Sequence, residues 1–301
     1  MISRILAGEF PNGVFSAPAF IGCGAVSSVY RLEVNGEPFA VKLHSADQES
    51  VSEYEREEYE RERNCLIQAK AAGLPVPEVY AVGWLDDCAY SLQTFVPGVN
   101  GLESPADPLL LWKELGRLGR LIHSIPVEDA EGKWHRYLDS AMASLTNNDV
   151  KISLGMYALH QQTDLRRVFQ KLRRHPFRYG LNHCDLHPKN TIVCPDGKVY
   201  LLDWGAASRD INVVPHAELA SLLFTMDVHA APFRAFVSGY GLSEAEFQCM
   251  LPEIIALGLV SCFWYTENPP TSAFGRELVA YATQVVTEHL PLLTEWASRE
   301  Y

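Results

Sequence analysis

The chain has 301 residues, 48% of them hydrophobic, and can bury the core of one large domain or of two lobes. Its 25 Lys and Arg residues against 37 Asp and Glu residues give a formal net charge of −12. This sign disfavours a nucleic-acid partner, because phosphates bind basic surfaces. Residues 183–301 carry 6 basic and 14 acidic residues, so the last third is acidic.

The cysteines and the apolar segments indicate the compartment. Seven cysteines are scattered along the chain without a C-x-x-C pair, which is typical of free thiols in a reducing compartment. The apolar step before Gly8 is too short for a signal-peptide core. The longest apolar run, 250–265, contains Glu253 and is shorter than the roughly 20 residues that span a bilayer, which favours a buried helix. We therefore expect a cytoplasmic protein without a membrane partner.

The first part of the chain predicts strands around one helix. Residues 18–43 contain short apolar runs, and Asn35-Gly36 stands between two alternating segments, the strongest short-range signal for a β-hairpin. Residues 47–73 are a charged stretch without proline and predict a helix that stops near its final glycine. Residues 74–98 predict an extended entry and two more strands.

The rest of the chain is predicted to be mainly helical. One helix face carries apolar residues at spacings of four, three and four, namely Leu111, Leu115, Leu118 and Ile122. Further helices are predicted over 134–145, over 153–174 and from His216 onward, and two short strands flank a turn at 195–197.

These patterns predict an α+β protein with two lobes. Residues 1–98 form a small β-rich N-terminal lobe with one helix, and residues 99–301 form a larger, mainly α C-terminal lobe.

Two motifs carry residue types that phosphoryl transfer requires. That reaction needs metal-held phosphates, a group that orients the attacking hydroxyl, and a cation against the phosphates. Asp185 is followed five residues later by Asn190, a spacing that suits an acceptor-binding Asp and a metal-binding Asn. Asp203 follows an apolar strand, where its carboxylate can bind magnesium. The alternative is that both Asp residues are ordinary turn or capping residues.

The segments H-C-D-L-H-P-K-N at 183–190 and L-L-D-W-G at 201–205 resemble the aminoglycoside phosphotransferase and choline kinase family of small-molecule kinases. The resemblance implies a protein-kinase-like fold that uses ATP (or GTP) and Mg²⁺. By position, Asp185 matches the catalytic base, Asn190 and Asp203 match metal ligands, and His183 matches the structural head of the loop. For His187, a loop-packing role is favoured over proton transfer.

The resemblance also implies a nucleotide-binding lysine. Lys42 lies on an alternating segment and matches the family's strand lysine that faces the nucleotide phosphates. A buried lysine needs a partner, and Glu62 is the best match because Leu66 and Ala69 share its helix face. Glu58 is the partner in an alternative register, and a solvated helix face is the alternative to any pairing.

Two further segments are expected to contact the nucleotide. Gly22, Gly24 and Ser27 belong to a glycine-containing turn whose backbone amides suit phosphate, although it lacks the third glycine of the protein-kinase form. Gln93, Thr94, Phe95 and Val96 resemble the family's hinge, whose backbone pairs with the adenine edge; Phe95 is also compatible with a core position.

Two acidic residues are expected to support the site without touching ligands. Asp210 and Glu218 resemble the family's acidic positions after the metal-binding Asp, although Glu218 stands where Asp is commoner.

The leading hypothesis is an ATP-dependent phosphotransferase that acts on a hydroxyl of a small polar molecule. The acidic last third favours a cationic acceptor, such as an aminoglycoside-like antibiotic or an amino alcohol, and hence antibiotic resistance. A neutral sugar or macrolide is an alternative acceptor. A catalytically silent, pseudokinase-like nucleotide-binding or scaffold protein is disfavoured because the four polar residues that the reaction needs are all present, namely Lys42, Asp185, Asn190 and Asp203. A protein kinase is disfavoured because no Arg precedes Asp185 and no A-P-E element follows Asp203.

Overall fold

The computed structural model describes residues 1–23, 27–44, 53–86, 88–144, 165–207, 211–267 and 273–299. They form two compact units, 1–105 with 188–207 and 106–187 with 208–301. The lobes 1–98 and 99–301 remain a partition predicted from sequence. The units differ from that partition chiefly because the segment 188–207 belongs to the first unit.

The described strands are β1 (Ala19–Cys23), β2 (Ser27–Val34), β3 (Glu37–His44), β4 (Val79–Leu85), β5 (Cys88–Thr94), β6 (Val99–Asn100), β7 (Arg178–Tyr179), β8 (Thr191–Val193), β9 (Val199–Leu201) and β10 (Val213–Val214). The described helices are α1 (Ile2–Glu9), α2 (Glu53–Ala71), α3 (Pro108–Ile122), α4 (Ala130–Ser144), α5 (Leu165–Arg174), α6 (His216–Leu222), α7 (Ala231–Tyr240), α8 (Glu244–Glu267), α9 (Ala273–Glu288) and α10 (Leu290–Ser298).

The first unit is built on an antiparallel sheet of five strands in the order β1-β2-β3-β5-β4. Strands β2 and β3 are joined through Asn35 and Gly36, whose φ angles of 54° and 89° are the left-handed values of a two-residue hairpin turn. The predicted hairpin is therefore confirmed. A second sheet, β6-β8-β9, lies in the same unit and contains the segment 188–207.

Two helices accompany these sheets, where the sequence predicted one. Helix α2 is the charged helix that was expected, and Gly73 follows it with a φ of 78°. Helix α1 was not anticipated. Its residues Ile2 and Leu6 pack into a core with Leu32, Phe39 and neighbouring apolar residues of the sheet. The helix forms because this short apolar stripe has a sheet face to cover, which a pattern of only eight residues does not reveal.

Among the described residues of the second unit, most elements are helices, and the strands are the two-stranded pair β7 and β10. Helices α3 and α7 are in direct backbone contact. A Cβ added at Gly116 of α3 would lie 2.1 Å from the carbonyl oxygen of Phe236, and one added at Gly239 of α7 would lie 1.8 Å from that of Lys113. The fold class predicted from the sequence, α+β with a β-rich first part and a mainly helical second part, is confirmed. The predicted helix 153–174 is described only from Leu165 onward.

Helix α8 contains the one described window, Glu244–Phe263, that is long and apolar enough to cross a membrane. Within that window, 67% is buried inside the protein, as in the core helix of a globular domain. Ile254, Ile255 and Leu259 are each 0% exposed, which confirms the predicted buried helix in this region.

Candidate active site

Lys42 is the centre of a charged cluster in the first unit. It lies on β3 next to the fully buried Val41, and because side chains alternate along a strand the two point to opposite faces of the sheet. Lys42 Nζ lies 3.2 Å from Glu62 Oε2 and 2.9 Å from Asp203 Oδ1. The predicted pairing with Glu62 is thus present, whereas the side chain of the alternative, Glu58, lies outside the described residues.

The cluster keeps the lysine charged. Burial alone would lower the pKa of Lys42, but the negative charges of Glu62 and Asp203 outweigh it, and the pKa is raised above its usual value. The two carboxylates differ in accessibility, since the Glu62 side chain is 5% exposed and that of Asp203 is 53% exposed. Glu62 therefore anchors the lysine from within, and Asp203 presents a carboxylate to solvent.

Asn190 and Asp203 lie at the same end of the β8–β9 hairpin. Asn190 closes a short 3₁₀ turn before β8 and is 8% exposed, and Asp203 follows β9 with a left-handed φ of 57°. The backbone N–H of Leu202 donates to the carbonyl of Asn190 at 2.9 Å, which ties the two segments together. The two short strands predicted around the turn at 195–197 are confirmed as the antiparallel pair β8 and β9. Both side chains offer the oxygen ligands that Mg²⁺ prefers.

The glycine-containing turn is described only at its two ends. Gly22 lies in β1 opposite Val29, and Ser27 begins β2 opposite His44. A Cβ added at Gly22 would meet no atom within 4 Å, so the space beside this residue is not filled by other parts of the protein. Gly24 lies outside the described residues.

The predicted hinge lies at the end of β5. The side-chain amide of Gln93 donates to Ser91 Oγ at 2.9 Å, and Thr94 Oγ1 accepts from the backbone N–H of Glu78 at 2.9 Å. The backbone N–H of Phe95 donates to the carbonyl of Pro38 at 3.1 Å. That N–H already has a backbone partner in the structure, whereas the hinge role of this segment stays a prediction.

A pocket of about 440 Å³ opens beside the hinge in the first unit. Its walls include Thr94, Phe95 and Val96 together with Cys194 and Tyr200, but none of the charged cluster around Lys42. The pocket is therefore separate from the residues proposed to hold phosphate.

The loop that carries Asp185 belongs to the second unit, and Glu218 of α6 holds it. Glu218 is 0% exposed, and its two carboxylate oxygens accept the backbone N–H groups of Cys184 and Leu186, each at 3.0 Å. Asp185 is thus fixed on both sides by one buried carboxylate. The sequence indicated a supporting role for Glu218 but not this contact, because 32 residues separate Glu218 from Leu186.

The charge of Glu218 is stabilised locally. Burial would raise its pKa, but the contact with His123, the nearby His183 and the N–H of Leu186 outweigh burial, so the pKa of Glu218 is lowered. His123 was not singled out from the sequence, where it only follows the apolar stripe of α3. His183 is 0% exposed.

The remaining predicted residues are placed as follows. The His187 ring packs edge-on against Trp112 with ring centroids 5.1 Å apart, which supports a packing role. Asp210 lies outside the described residues.

Three solved structures that resemble this chain have names of small-molecule kinases. A ternary complex of a thermostable mutant of aminoglycoside phosphotransferase APH(4)-Ia with AMP-PNP and hygromycin B is 14% identical, with a TM-score of 0.67 and coverage of 96% of this chain and 97% of that one. A putative fructosamine-3-kinase from Haemophilus somnus 129PT is 13% identical, with a TM-score of 0.57 and coverage of 95% and 96%. The streptomycin–ATP complex of APH(2")-IIa is 14% identical, with a TM-score of 0.56 and coverage of 94% and 95%. The fold is therefore the protein-kinase-like fold of these enzymes.

A match to a family sequence model assigns the chain to a family. Residues 19–252 match the model of the phosphotransferase enzyme family, which is more than half of the chain. The chain belongs to that family and is a kinase-type phosphotransferase of small molecules. No curated protein matches it.

Proposed function

We propose that the chain transfers the γ-phosphoryl group of ATP (or GTP) to a hydroxyl of a small, polar and cationic molecule. The observation that carries this proposal is the cluster in which Lys42 lies between a buried Glu62 and an exposed Asp203. A lysine held this way is a permanent cation whose position is fixed before any nucleotide arrives, as phosphate binding requires.

Asn190 and Asp203 are the proposed magnesium ligands. Magnesium is usually held by one or two protein oxygen ligands together with phosphates and water. This agrees with the described part of the chain, in which no group of three or more His, Cys, Asp or Glu side chains is placed to hold a metal. When bound, the ion would neutralise charge on the transferred phosphoryl group.

Asp185 is the proposed base that receives the proton of the acceptor hydroxyl. Positioning matters more than basicity in this reaction, since the phosphoryl group carries most of the charge that has to be stabilised. The clamp of Glu218 on Cys184 and Leu186 supports this role, because it fixes the backbone on both sides of Asp185.

The acidic last third supports a cationic acceptor. Aminoglycoside-like antibiotics and amino alcohols carry ammonium groups that exposed carboxylates would attract. Phosphorylation of an antibiotic by a cytoplasmic enzyme of this kind would confer resistance. The similar structures include complexes with hygromycin B and with streptomycin and a putative fructosamine-3-kinase, so the fold itself does not choose the acceptor.

A transfer screen tests the proposal. Aminoglycosides, amino alcohols, neutral sugars and macrolides are incubated with magnesium and ATP or GTP, and phosphorylation is detected as a mass gain of the acceptor. Asp185→Asn is the control without a base. We expect a gain on a cationic acceptor only with the unaltered chain. Transfer to none of these classes contradicts the proposal and favours the catalytically silent alternative.

Salt separates the acceptor classes. For a cationic acceptor, raising the ionic strength should raise the acceptor KM, because exposed charges are screened over about 8 Å at physiological salt. Nucleotide KM is followed in parallel. An acceptor KM that does not change with salt favours a neutral sugar or macrolide.

A further inference from the structure

Tyr240 and His123 form a buried contact in the second unit that the proposed chemistry does not use. The Tyr240 hydroxyl lies 3.0 Å from Nδ1 of His123. Tyr240 is 6% exposed and His123 is 2% exposed. Tyr240 is the last residue of α7, and His123 is the residue that ends α3.

This contact continues to the loop of Asp185. Nε2 of His123 lies 3.9 Å from Oε2 of Glu218, an electrostatic contact longer than a hydrogen bond. Glu218 in turn accepts the backbone N–H groups of Cys184 and Leu186. A buried row of side chains therefore runs from the end of α7 to the residues on both sides of Asp185.

The Tyr240 hydroxyl is the partner of Nδ1 of His123, and the direction of this hydrogen bond depends on which ring nitrogen carries a proton. Burial raises the pKa of Tyr240 to about 12, so the phenol keeps its proton at neutral pH. A hydroxyl that donates to Nδ1 of His123 leaves the ring proton on Nε2, facing the Glu218 carboxylate. If the ring is doubly protonated, the hydroxyl accepts from Nδ1–H and Nε2–H still faces Glu218. The opposite neutral tautomer would turn a lone pair toward that carboxylate.

The two helices that carry this contact are rigidly placed. Gly116 and Gly239 allow α3 and α7 to meet backbone to backbone. Gly119 of α3 also leaves space for the loop, since an added Cβ would lie 3.0 Å from Cδ1 of Leu186. The distance between Tyr240 and His123 is thereby fixed by helix packing.

We propose that Tyr240 is a positioning residue, which acts through His123 to hold the Glu218 carboxylate that fixes the backbone around Asp185. The proposal rests on the proposed function only where it names Asp185 as the base. The link from Tyr240 to the loop can be measured without any acceptor.

The test uses Tyr240→Phe, which removes the hydroxyl and keeps the ring. Tyr80→Phe is the matched control, because Tyr80 is 54% exposed. Amide hydrogen exchange at Cys184 and Leu186 should become roughly 3- to 10-fold faster in Tyr240→Phe, as expected for the loss of one hydrogen bond from a buried network. The ¹⁵N chemical shifts of the His123 ring should change, because Nδ1 loses its hydroxyl partner. The control should leave both observables unchanged.

Turnover supplies the second readout. In Tyr240→Phe, kcat should fall roughly 3- to 10-fold while the nucleotide KM stays within about twofold, because the hydroxyl is proposed to act on the base and not on the nucleotide. In a His123→Asn background, Tyr240→Phe should cost nothing further, since the link is already broken. If Tyr240→Phe does not fold, His123→Gln carries the same exchange and turnover tests.

Either readout can overturn the proposal. Unchanged exchange at Cys184 and Leu186 overturns it whatever the chain phosphorylates. Faster exchange with unchanged kcat also overturns it, because the loop would then loosen without affecting the reaction. A wild-type chain that phosphorylates no acceptor contradicts the proposed function, and the exchange measurement alone then decides whether Tyr240 holds the loop.

Discussion

At the scale of single residues, the charged cluster around Lys42 shows how one lysine can be held by two unlike carboxylates. Glu62 is buried and pairs with Lys42, whereas Asp203 is half exposed and is proposed to bind a metal ion in addition to pairing with Lys42. Removing the buried partner leaves Lys42 to neutralise Asp203 alone. A metal ion at Asp203 would then have to compete with that lysine for the carboxylate.

Glu62→Gln should therefore lower kcat/KM for the nucleotide by roughly 10- to 100-fold, as for the loss of one partner of a buried charge pair. Glu60→Gln is the matched control, since Glu60 lies on the same helix and is exposed. Steady-state kinetics with varied nucleotide measure both. Equal losses in the two variants would show that the pairing in the structure has no part in turnover.

The pairing of Lys42 with Glu62 was predicted from two sources, the family resemblance that marks Lys42 and the helix face that Glu62 shares with Leu66 and Ala69. It did not predict that the Phe95 N–H is engaged by Pro38, because a strand's partners depend on the whole sheet. Nor did it predict the clamp of Glu218 on Leu186. Local patterns contain no information about contacts between residues that only the tertiary fold brings together.

At the scale of elements, the contact between α3 and α7 depends on glycine. Gly239→Ala would place a methyl group only 1.8 Å from the carbonyl oxygen of Lys113, so the two helices would have to separate. We expect a loss of roughly 3 kcal/mol or more in the free energy of unfolding, at the upper end for an overpacked core. Urea denaturation measures it.

Gly8→Ala is the control for that substitution. Gly8 lies in α1, and an added Cβ would meet no atom within 4 Å. Because alanine is the better helix former, stability should rise by about 0.5–1 kcal/mol or stay unchanged. A Gly239→Ala variant as stable as Gly8→Ala would contradict the close packing of α3 on α7.

Some of these elements could be predicted from the sequence pattern and others could not. The Asn35-Gly36 hairpin was predictable because only a few residues adopt the required positive φ at low cost. Helix α1 was not, because its apolar stripe consists of Ile2, Ile5 and Leu6 alone. A stripe that short is stabilised only by the sheet core it covers.

At the scale of the whole molecule, the proposed machinery is distributed over two units. Lys42, Glu62, Asn190 and Asp203 belong to the first unit, and Asp185 belongs to the second. The chain passes from one unit to the other between His187 and Pro188, which is inside the continuous sequence motif 183–190. A linear motif shows the order of its residues but not the unit with which each residue packs.

Acid should destabilise the fold in two steps. Burial lowers the pKa of His216 to about 3, with the neighbouring His175 as a further cause. Between about pH 6.5 and 3 the unfolded chain therefore binds a proton that the folded chain does not, and stability falls by up to about 1.4 kcal/mol per pH unit as the pH is lowered. Glu218, whose pKa is also lowered, adds to the loss only below about pH 4.5.

Urea denaturation at a series of pH values tests this assignment. His216→Gln should flatten the dependence between pH 6.5 and 4.5, whereas His229→Gln, at an exposed position, should leave it unchanged. The same slope in His216→Gln as in the unaltered chain would mean that other groups cause the acid loss.

We propose that Asp185 acts on the acceptor and that Asp203 acts on the metal-bound nucleotide. Calorimetric titration of nucleotide with and without magnesium, beside single-turnover transfer, measures both roles. Asp185→Asn should keep magnesium-dependent nucleotide binding and lose roughly 10² to 10⁴ in kcat. Asp203→Asn should also lose the magnesium dependence, because an amide is a weaker ligand for this ion than a carboxylate. Magnesium-dependent binding that is lost in Asp185→Asn and kept in Asp203→Asn would show that the two roles are assigned wrongly.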